Sequence, residues 1–360
     1  MPQARKSHGL PQRRVLLLFT SVRFRTTRTR QRNACGSRVS TYGQVLKIAV
    51  LGGGTSPEAT VSRSSAKQVI QGLSERHNTR YIELSPNMPA ELIEYAPDVV
   101  FPVLHGSPGE DGSVQGFLEI HGFPFIGSAM TASALAIDKF QAKCVWQTLD
   151  LPVLPMKLLS KATWSDARCS DIEATIGNAV AIKPRAAGSA IGVRLLPNGG
   201  DLSAVLSDAF QSHDYLVVEP FKAGREITVA VLEHGGVAEA LPIIEIQVLA
   251  ANEWYDFTNR YKEGASRHVI EPSLPEATIA RLKHVAIAAH QALGCRDFSR
   301  SDFIVDDQEF WLLELNTIPG MTPTSLFPDA ARAASIEFPD LLELLVENAS
   351  ARHEDGPAAP

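Results

Sequence analysis

Cysteine is scarce in this chain, and none of it is paired by spacing. Cys35, Cys144, Cys169 and Cys295 are the only four in 360 residues, without CxxC or zinc-ligand spacing. That excludes a disulfide scaffold and fits the reduced thiols of a cytoplasmic protein. No apolar run approaches the ~20 residues needed to span a bilayer, so no membrane partner is expected. Internal repeats and a Walker A sequence are also missing. Acidic residues are absent from positions 1–46, which hold ten Arg or Lys. Since the whole chain carries a net charge of −6, everything from Lys47 onward is clearly acidic. An acidic body argues against nucleic acid as the main partner.

The basic leader 1–46 admits three readings: an organelle transit peptide, a nucleic-acid-binding arm, or a disordered extension upstream of the true start. Val15–Phe19 is too short for a signal-peptide core. Folded-looking sequence begins abruptly at Lys47, which favours the third reading. The tail 351–360 is polar and is expected to be loose.

What is present is most informative near the C-terminus. Arg300-Ser-Asp302 and Glu314-Leu-Asn316 flank an apolar run, an acidic turn and a second apolar run, the pattern of a β-hairpin. Folding it about a 306–310 turn sets Asp302 opposite Glu314. Side chains two apart share a strand face, so Arg300, Asp302, Glu314 and Asn316 converge on one surface. Two carboxylates opposed across strands destabilise the pair unless a cation lies between them. Two carboxylates and an amide form an all-oxygen set that suits Mg²⁺. A hairpin with a solvated acidic end is the alternative.

Upstream, the chain alternates strands and helices in the manner of a parallel α/β sheet. A strand at Lys47–Leu51 leads into Gly52-Gly-Gly-Thr-Ser-Pro-Glu58. Ser56 is expected to cap a helix running to about Leu73, with Pro57 first and Glu58 in the first turn. Strands are expected at 81–84 and 98–104, with a helix around 90–95 between them. His105–Gly116 then forms a glycine-rich loop at a strand's carboxyl end. One helix is expected over 131–149, strands over 179–183, 215–219, 227–233 and 236–247, and a long helix over 276–293.

Ala181-Ile-Lys183 followed by Gly188-Ser189 and Gly192 is a strand-end lysine with a loop able to approach phosphates, and is equally a structural turn. Glu219 and Glu226 are placed to accept hydrogen bonds from an adenine and a ribose, or are exposed strand-end acids. Glu58 either complements the helix dipole or pairs with a ligand ammonium. His105 is a core histidine or part of a binding loop.

Taken in order, these segments resemble the D-alanine–D-alanine ligases of the ATP-grasp superfamily. The carriers are Gly53–Glu58, His105–Gly112, Ala134–Lys139, Lys183-Pro with Gly188-Ser189 and Gly192, Arg300–Asp302, and Glu314–Thr322 with Ser325-Leu326. The resemblance spans Lys47 to about Ala349. It implies an α/β and α+β fold of three domains: 47–127 as an N-terminal α/β substrate domain, 128–222 as a central ATP-grasp domain, and 223–350 as a C-terminal catalytic domain. It implies ATP and two Mg²⁺ ions, with Mn²⁺ able to substitute, Asp302, Glu314 and Asn316 being the metal ligands. By the same resemblance Lys139, Lys183 and Ser189 hold phosphates, Glu219 and Glu226 hold adenosine, and Arg260 joins the ATP site. Glu58 and His105 orient the ammonium of the first D-alanine, and Ser325 with Leu326 the carboxylate of the second. Glu58, Ser189 and Tyr261 close the site, while Arg300 and the Gly320 N–H stabilise the oxyanion. The product would be D-alanyl-D-alanine for peptidoglycan, made by a homodimer.

The chain departs from the family at Arg185, Ala186, Ala187 and Ala190 in the phosphate loop, at Arg260 before Tyr261, and at Thr60, where many members carry a second glutamate. Ile318 is a mild change. A paralogue joining other amino acids in secondary metabolism, or a nucleotide-binding relative without turnover, are the competing readings. If the leader is dispensable, deleting residues 1–46 leaves ligase activity and the thermal midpoint unchanged, as phosphate release and melting curves would report.

Overall fold

The computed structural model describes residues 44–249 and 264–354. Three sheets organise them. The first is parallel, in the order β2-β1-β3, from β1 (Lys47–Gly52), β2 (Asn78–Glu83) and β3 (Val99–Pro102). After Lys47 every residue of β1 is buried, as expected for a central parallel strand covered on both faces. α1 (Ala59–Leu73) buries Ala59, Ser62, Ala66, Val69 and Leu73, a spacing of three and four that keeps one face inward. α2 (Met88–Tyr95) and α3 (Ser113–Ile120) complete this region.

Ser56 does not cap α1. Its hydroxyl donates to the His105 carbonyl (2.7 Å), and Glu58 takes the N-cap position instead. The exchange ties the glycine loop after β1 to the loop after β3.

The single helix expected over 131–149 is two: α4 (Met130–Ile137) and α5 (Lys139–Gln147). Asp138 breaks them, with extended backbone (φ −82°, ψ 94°) and a carboxylate that accepts from Gln141 N at 3.1 Å. Aspartate is a strong N-cap, and here that preference outweighs apolar periodicity running through it. Lys139 therefore stands at a helix start rather than inside a helix.

The second sheet is antiparallel, β4-β7-β5-β6, built from β4 (Lys157–Ser160), β5 (Val180–Pro184), β6 (Arg194–Leu196) and β7 (Tyr215–Pro220), with α6 (Cys169–Thr175) and α7 (Leu202–Ser212). The third sheet runs β11-β10-β8-β12-β13, with β9 also on β8. Its strands are β8 (Arg225–His234), β9 (Val237–Ala240), β10 (Ile244–Val248), β11 (Ser266–Ile270), β12 (Phe298–Val305) and β13 (Phe310–Asn316). The one strand expected over 236–247 is split at Pro242, which has no N–H to give a ladder.

One face of this sheet, with Ile227, Val229, Val231, Phe303 and Val305, packs on Leu282, Val285, Ala286 and Ala289 of α8 (Glu276–Ala292). The other face packs Ala230, Ile244 and Ile246 with Leu326, Phe327 and Ala330 of α9 (Leu326–Ala333) and with Leu341, Leu342 and Leu345 of α10 (Phe338–Glu354). The tail is helical as far as Glu354, contrary to the expected looseness from 351. Arg352 anchors it, donating to both oxygens of the buried Asp297 and to the Phe125 carbonyl (3.0 Å).

Asp138 carries two loads, the α5 cap and an ion pair to Arg185 at 2.6 Å. Asp138→Ala should cost about 1 kcal/mol from the cap alone, read by urea denaturation. It should also raise the KM for ATP, because Lys139 follows directly.

Candidate active site

β12 and β13 pair Arg300 with Asn316 and Asp302 with Glu314, the register expected from the hairpin. A bulge follows at once: the register steps to Phe303–Leu312, leaving Leu313 as the extra residue on β13. The bulge lets the apolar half of the hairpin face the core while the opposed acids keep their common face.

The charges on that face are compensated by neighbours. Arg300 donates twice to the Asp302 carboxylate, at 2.9 and 2.8 Å. Thr228 Oγ1 of β8 donates to Asp302 Oδ1 at 2.7 Å, and Lys139 Nζ lies 3.2 Å from Glu314 Oε2. Lys139 Nζ also donates to the Ala187 carbonyl at 2.6 Å, which binds the loop after β5 to α5. Among the described residues no group of three or more His, Cys, Asp or Glu is placed to hold a metal. Two carboxylates and one amide leave a divalent ion most of its coordination shell for other oxygens, and that sparse, hard donor set fits Mg²⁺ bound to phosphates and water.

Beside these acids lies a cavity of about 720 Å³ between the second and third sheets. Lys139, Lys183, Glu219, Glu226, Asp302 and Glu314 all line it. Glu219 is 1% exposed, and its two oxygens are divided between lysines: Lys183 at 2.7 Å and the fully buried Lys143. Burial alone would raise the Glu219 carboxyl, but the charges of Lys143 and Lys183 bring it down to about 2. Burial brings the Lys143 ammonium down to about 8, against the pull of Glu219. Glu219 thus acts here as the counter-ion that orients Lys183. Sequence reading missed Lys143, although its place four residues after Lys139 on α5 puts both on one helix face.

A second cavity, of about 460 Å³, includes Glu58, His105, Ser189, Arg300, Asn316, Gly320, Ser325 and Leu326 in its lining. Ser189 Oγ donates to Glu58 Oε1, linking the loop after β5 to the first glycine loop. A side chain at Gly188 would stand 3.1 Å from Glu58 Oε2, so the close approach favours glycine there. Ser189 (φ 49°) and Ala190 (φ 56°) are both left-handed, a conformation that non-glycine residues hold at a cost of order 1–3 kcal/mol each. Gly320 is equally constrained, since an added Cβ would lie 2.9 Å from Ser325 Oγ. That hydroxyl pairs with Thr322 Oγ1 at 2.7 Å and fixes the turn leading into α9. Burial lowers the His105 imidazole, opposed by the charge on Glu58.

Between them a small pocket of about 20 Å³, a waist, shares Lys139 and Glu314 with the first cavity and Glu110, Gly188 and Asn316 with the second. Glu110, read in the sequence only as part of a glycine loop, accepts from Gly106 N at 2.7 Å. Burial, reinforced by the charge of Glu58, pushes its carboxyl up to about 8. Arg260 and Tyr261 lie outside the described residues.

Arg185, one of the departures in the phosphate loop, is committed to local structure: it pairs with Asp138 and lies over the Tyr215 ring at 5.5 Å. Ala187 serves through its carbonyl, which needs no polar side chain.

The Glu110 shift carries a sign. A carboxyl raised from 4.5 to about 8 in the folded state adds stability that is full below about pH 4.5 and lost as pH rises through 8. Glu110→Gln should therefore flatten the decline in melting temperature between pH 5 and 8.5, measured by calorimetry across that range.

Comparison with known families agrees with this geometry. The family described as D-ala D-ala ligase C-terminus matches residues 145–347, and D-ala D-ala ligase N-terminus matches 85–128. The D-alanine--D-alanine ligase of Desulforudis audaxviator is 41% identical over 310 residues, covering 86% of this chain and 100% of that protein. That of Halalkalibacterium halodurans is 38% identical over 304 residues, covering 84% and 98%. The crystal structure of the Bacillus anthracis D-alanine--D-alanine ligase complexed with ATP superposes with a TM-score of 0.74 at 30% identity, over 87% of this chain and 100% of that one. Closed by these matches, the assignment is that this chain belongs to the D-alanine–D-alanine ligase family, with its ATP-grasp fold.

Proposed function

We infer that this protein is an ATP-dependent ligase that joins two D-alanines into D-alanyl-D-alanine for peptidoglycan, with ADP and phosphate as co-products. One observation carries the reading: Glu314, Asn316 and Lys139 line a small pocket that shares walls with both the large cavity between the sheets and the second cavity beside Glu58. The relatives named above support D-alanine as the substrate, and the ATP-bound neighbour supports ATP.

The residues divide the work in two. Glu58 and His105 hold the ammonium of the first D-alanine, leaving its carboxylate directed at the waist. That carboxylate attacks the γ-phosphorus of ATP, giving D-alanyl phosphate and ADP. Lys139 and Lys183 offset the charge that develops on the transferring phosphoryl group, as such transfers require. Asp302, Glu314 and Asn316 would hold two Mg²⁺ ions, whose contribution when bound is to neutralise phosphate oxygens.

The amine of the second D-alanine, whose carboxylate is held by Ser325 and the Leu326 N–H, then attacks the acyl carbon. Arg300 and the Gly320 N–H face the oxyanion that forms. Phosphate leaves and the peptide bond remains. Glu226 holds the ribose and Arg260 joins the ATP site. Glu219 holds the adenine amino group in this reading, in addition to orienting Lys183. Tyr261 closes the site with Glu58 and Ser189. Family membership also supports three domains at 47–127, 128–222 and 223–350, a homodimer and a cytoplasmic location. Among the described residues no helix is long and apolar enough to cross a membrane.

The direct test incubates the chain with Mg²⁺–ATP and a panel of D-amino acids, measuring phosphate release and dipeptide mass. D-alanyl-D-alanine is expected as the main product. Turnover only with other amino acids would refute the substrate. Asp302→Asn and Glu314→Gln should each cut kcat by more than about 100-fold, beyond the 10- to 100-fold typical of groups one shell further out. Wild-type rates in either variant would remove the metal-site assignment.

A further inference from the structure

His268 has no part in the reaction as derived, yet it lines the amino-acid cavity. It stands on the edge strand β11, opposite Ile246, which is opposite Glu226, which is opposite Ile304. Partners across antiparallel strands share a face, and Ile304 is two residues beyond Asp302. His268 therefore belongs to the same sheet face as Arg300 and Asp302. Its Nδ1 lies 2.7 Å from Asp329 Oδ2. Asp329 sits one helical turn beyond Ser325 on α9, its N–H donating to the Ser325 carbonyl at 2.9 Å. Its other oxygen accepts from Arg332 at 2.8 Å. Among the described residues no side chain pairs with Nε2 of His268.

We propose that His268 is a substrate-positioning residue of the acceptor subsite, holding the carboxylate of the second amino acid together with Ser325. The proposal rests on the ligase reading and adds a residue to it. Asp329 fixes the ring through Nδ1, and Arg332 already balances part of the Asp329 charge. The Asp329–His268 pair therefore does not repel an incoming carboxylate as a bare aspartate would. A ring that gives Nδ1–H to Asp329 can donate to the incoming carboxylate only as the imidazolium, whose Nε2–H then faces it. Its partner Asp329 sits one turn along α9 from Ser325, which sets the ring beside the residue that takes the acceptor's carboxylate.

A purely structural His268 would only pin β11 to α9, so the test compares two acceptors within one reaction. D-alanine and D-alaninamide compete for the same acyl phosphate, and mass spectrometry measures the ratio of free dipeptide to dipeptide amide. That ratio depends on the acceptor step alone, not on how much enzyme is folded. His268→Ala should move it toward the amide by about tenfold relative to wild type, the scale of one lost hydrogen bond to a charged group. His268→Gln, which keeps an N–H donor, should recover part of the preference, and the KM for ATP should stay within twofold in both. An unchanged ratio, even with reduced total activity, overturns the proposal and leaves the ligase reading intact. A wild-type chain that makes no dipeptide overturns both.

Discussion

Everything around the site answers to two negative charges forced to face one another across β12 and β13. Asp302 and Glu314 are direct cross-strand partners, an arrangement that costs stability when nothing intervenes. The chain resolves it from three directions. Arg300 arrives from the same strand, Thr228 from β8, and Lys139 from the start of α5. Only Arg300 is near in sequence. The other two are brought in by the third sheet's strand order and by the break at Asp138. The opposed acids thus select the architecture as much as they are placed by it.

The same logic repeats one layer back. Glu219 is almost fully buried, which is tolerable only because Lys143 and Lys183 each take one of its oxygens. The triad carries one net positive charge, and Lys183 is its member on the cavity wall. An anion entering that cavity meets a cation already held in place, so less ordering is required on binding. The second cavity is lined by two acids, Glu58 and Glu110. Glu58 and Glu110 lie close enough for one to raise the other, an arrangement that favours an ammonium as the third partner.

The hairpin and its register were legible in the sequence because they depend on short-range facts: a turn, two apolar runs and period-two alternation. The order of motifs was legible for the same reason. What escaped was set by competition between local signals. Asp138 lies inside an apolar helical pattern that continues on either side of it, and its capping preference is decisive only once Arg185 and Gln141 N are in place. Ser56 has the composition and position of an N-cap, but the His105 carbonyl, 49 residues away in the chain, takes its hydroxyl. Arg352 reads as part of a polar tail, yet the Asp297 carboxylate and the Phe125 carbonyl lie within its reach. Lys143 and His268 carry no sequence signal because each pairs with an acid distant in the chain, Glu219 and Asp329. Pairings of that length leave no periodic trace.

Departures in the phosphate loop change meaning once placed. Arg185 closes an ion pair with the residue that caps α5, and Ala187 contributes a carbonyl to Lys139, so neither position is idle. What the loop must supply is backbone shape. Ser189 and Ala190 hold consecutive left-handed conformations beside a glycine with little room for a side chain. That strain is sustained by contacts on both sides, Glu58 on the Ser189 hydroxyl and Lys139 on the Ala187 carbonyl. A loop held in this way does not need polar side chains at 186 and 190 to keep its course. Its fidelity is lent by the two residues that also face the ammonium and the phosphates in the proposed reaction. Substrate binding and loop geometry are therefore coupled through Glu58 and Lys139, and alanine at the remaining positions is compatible with turnover.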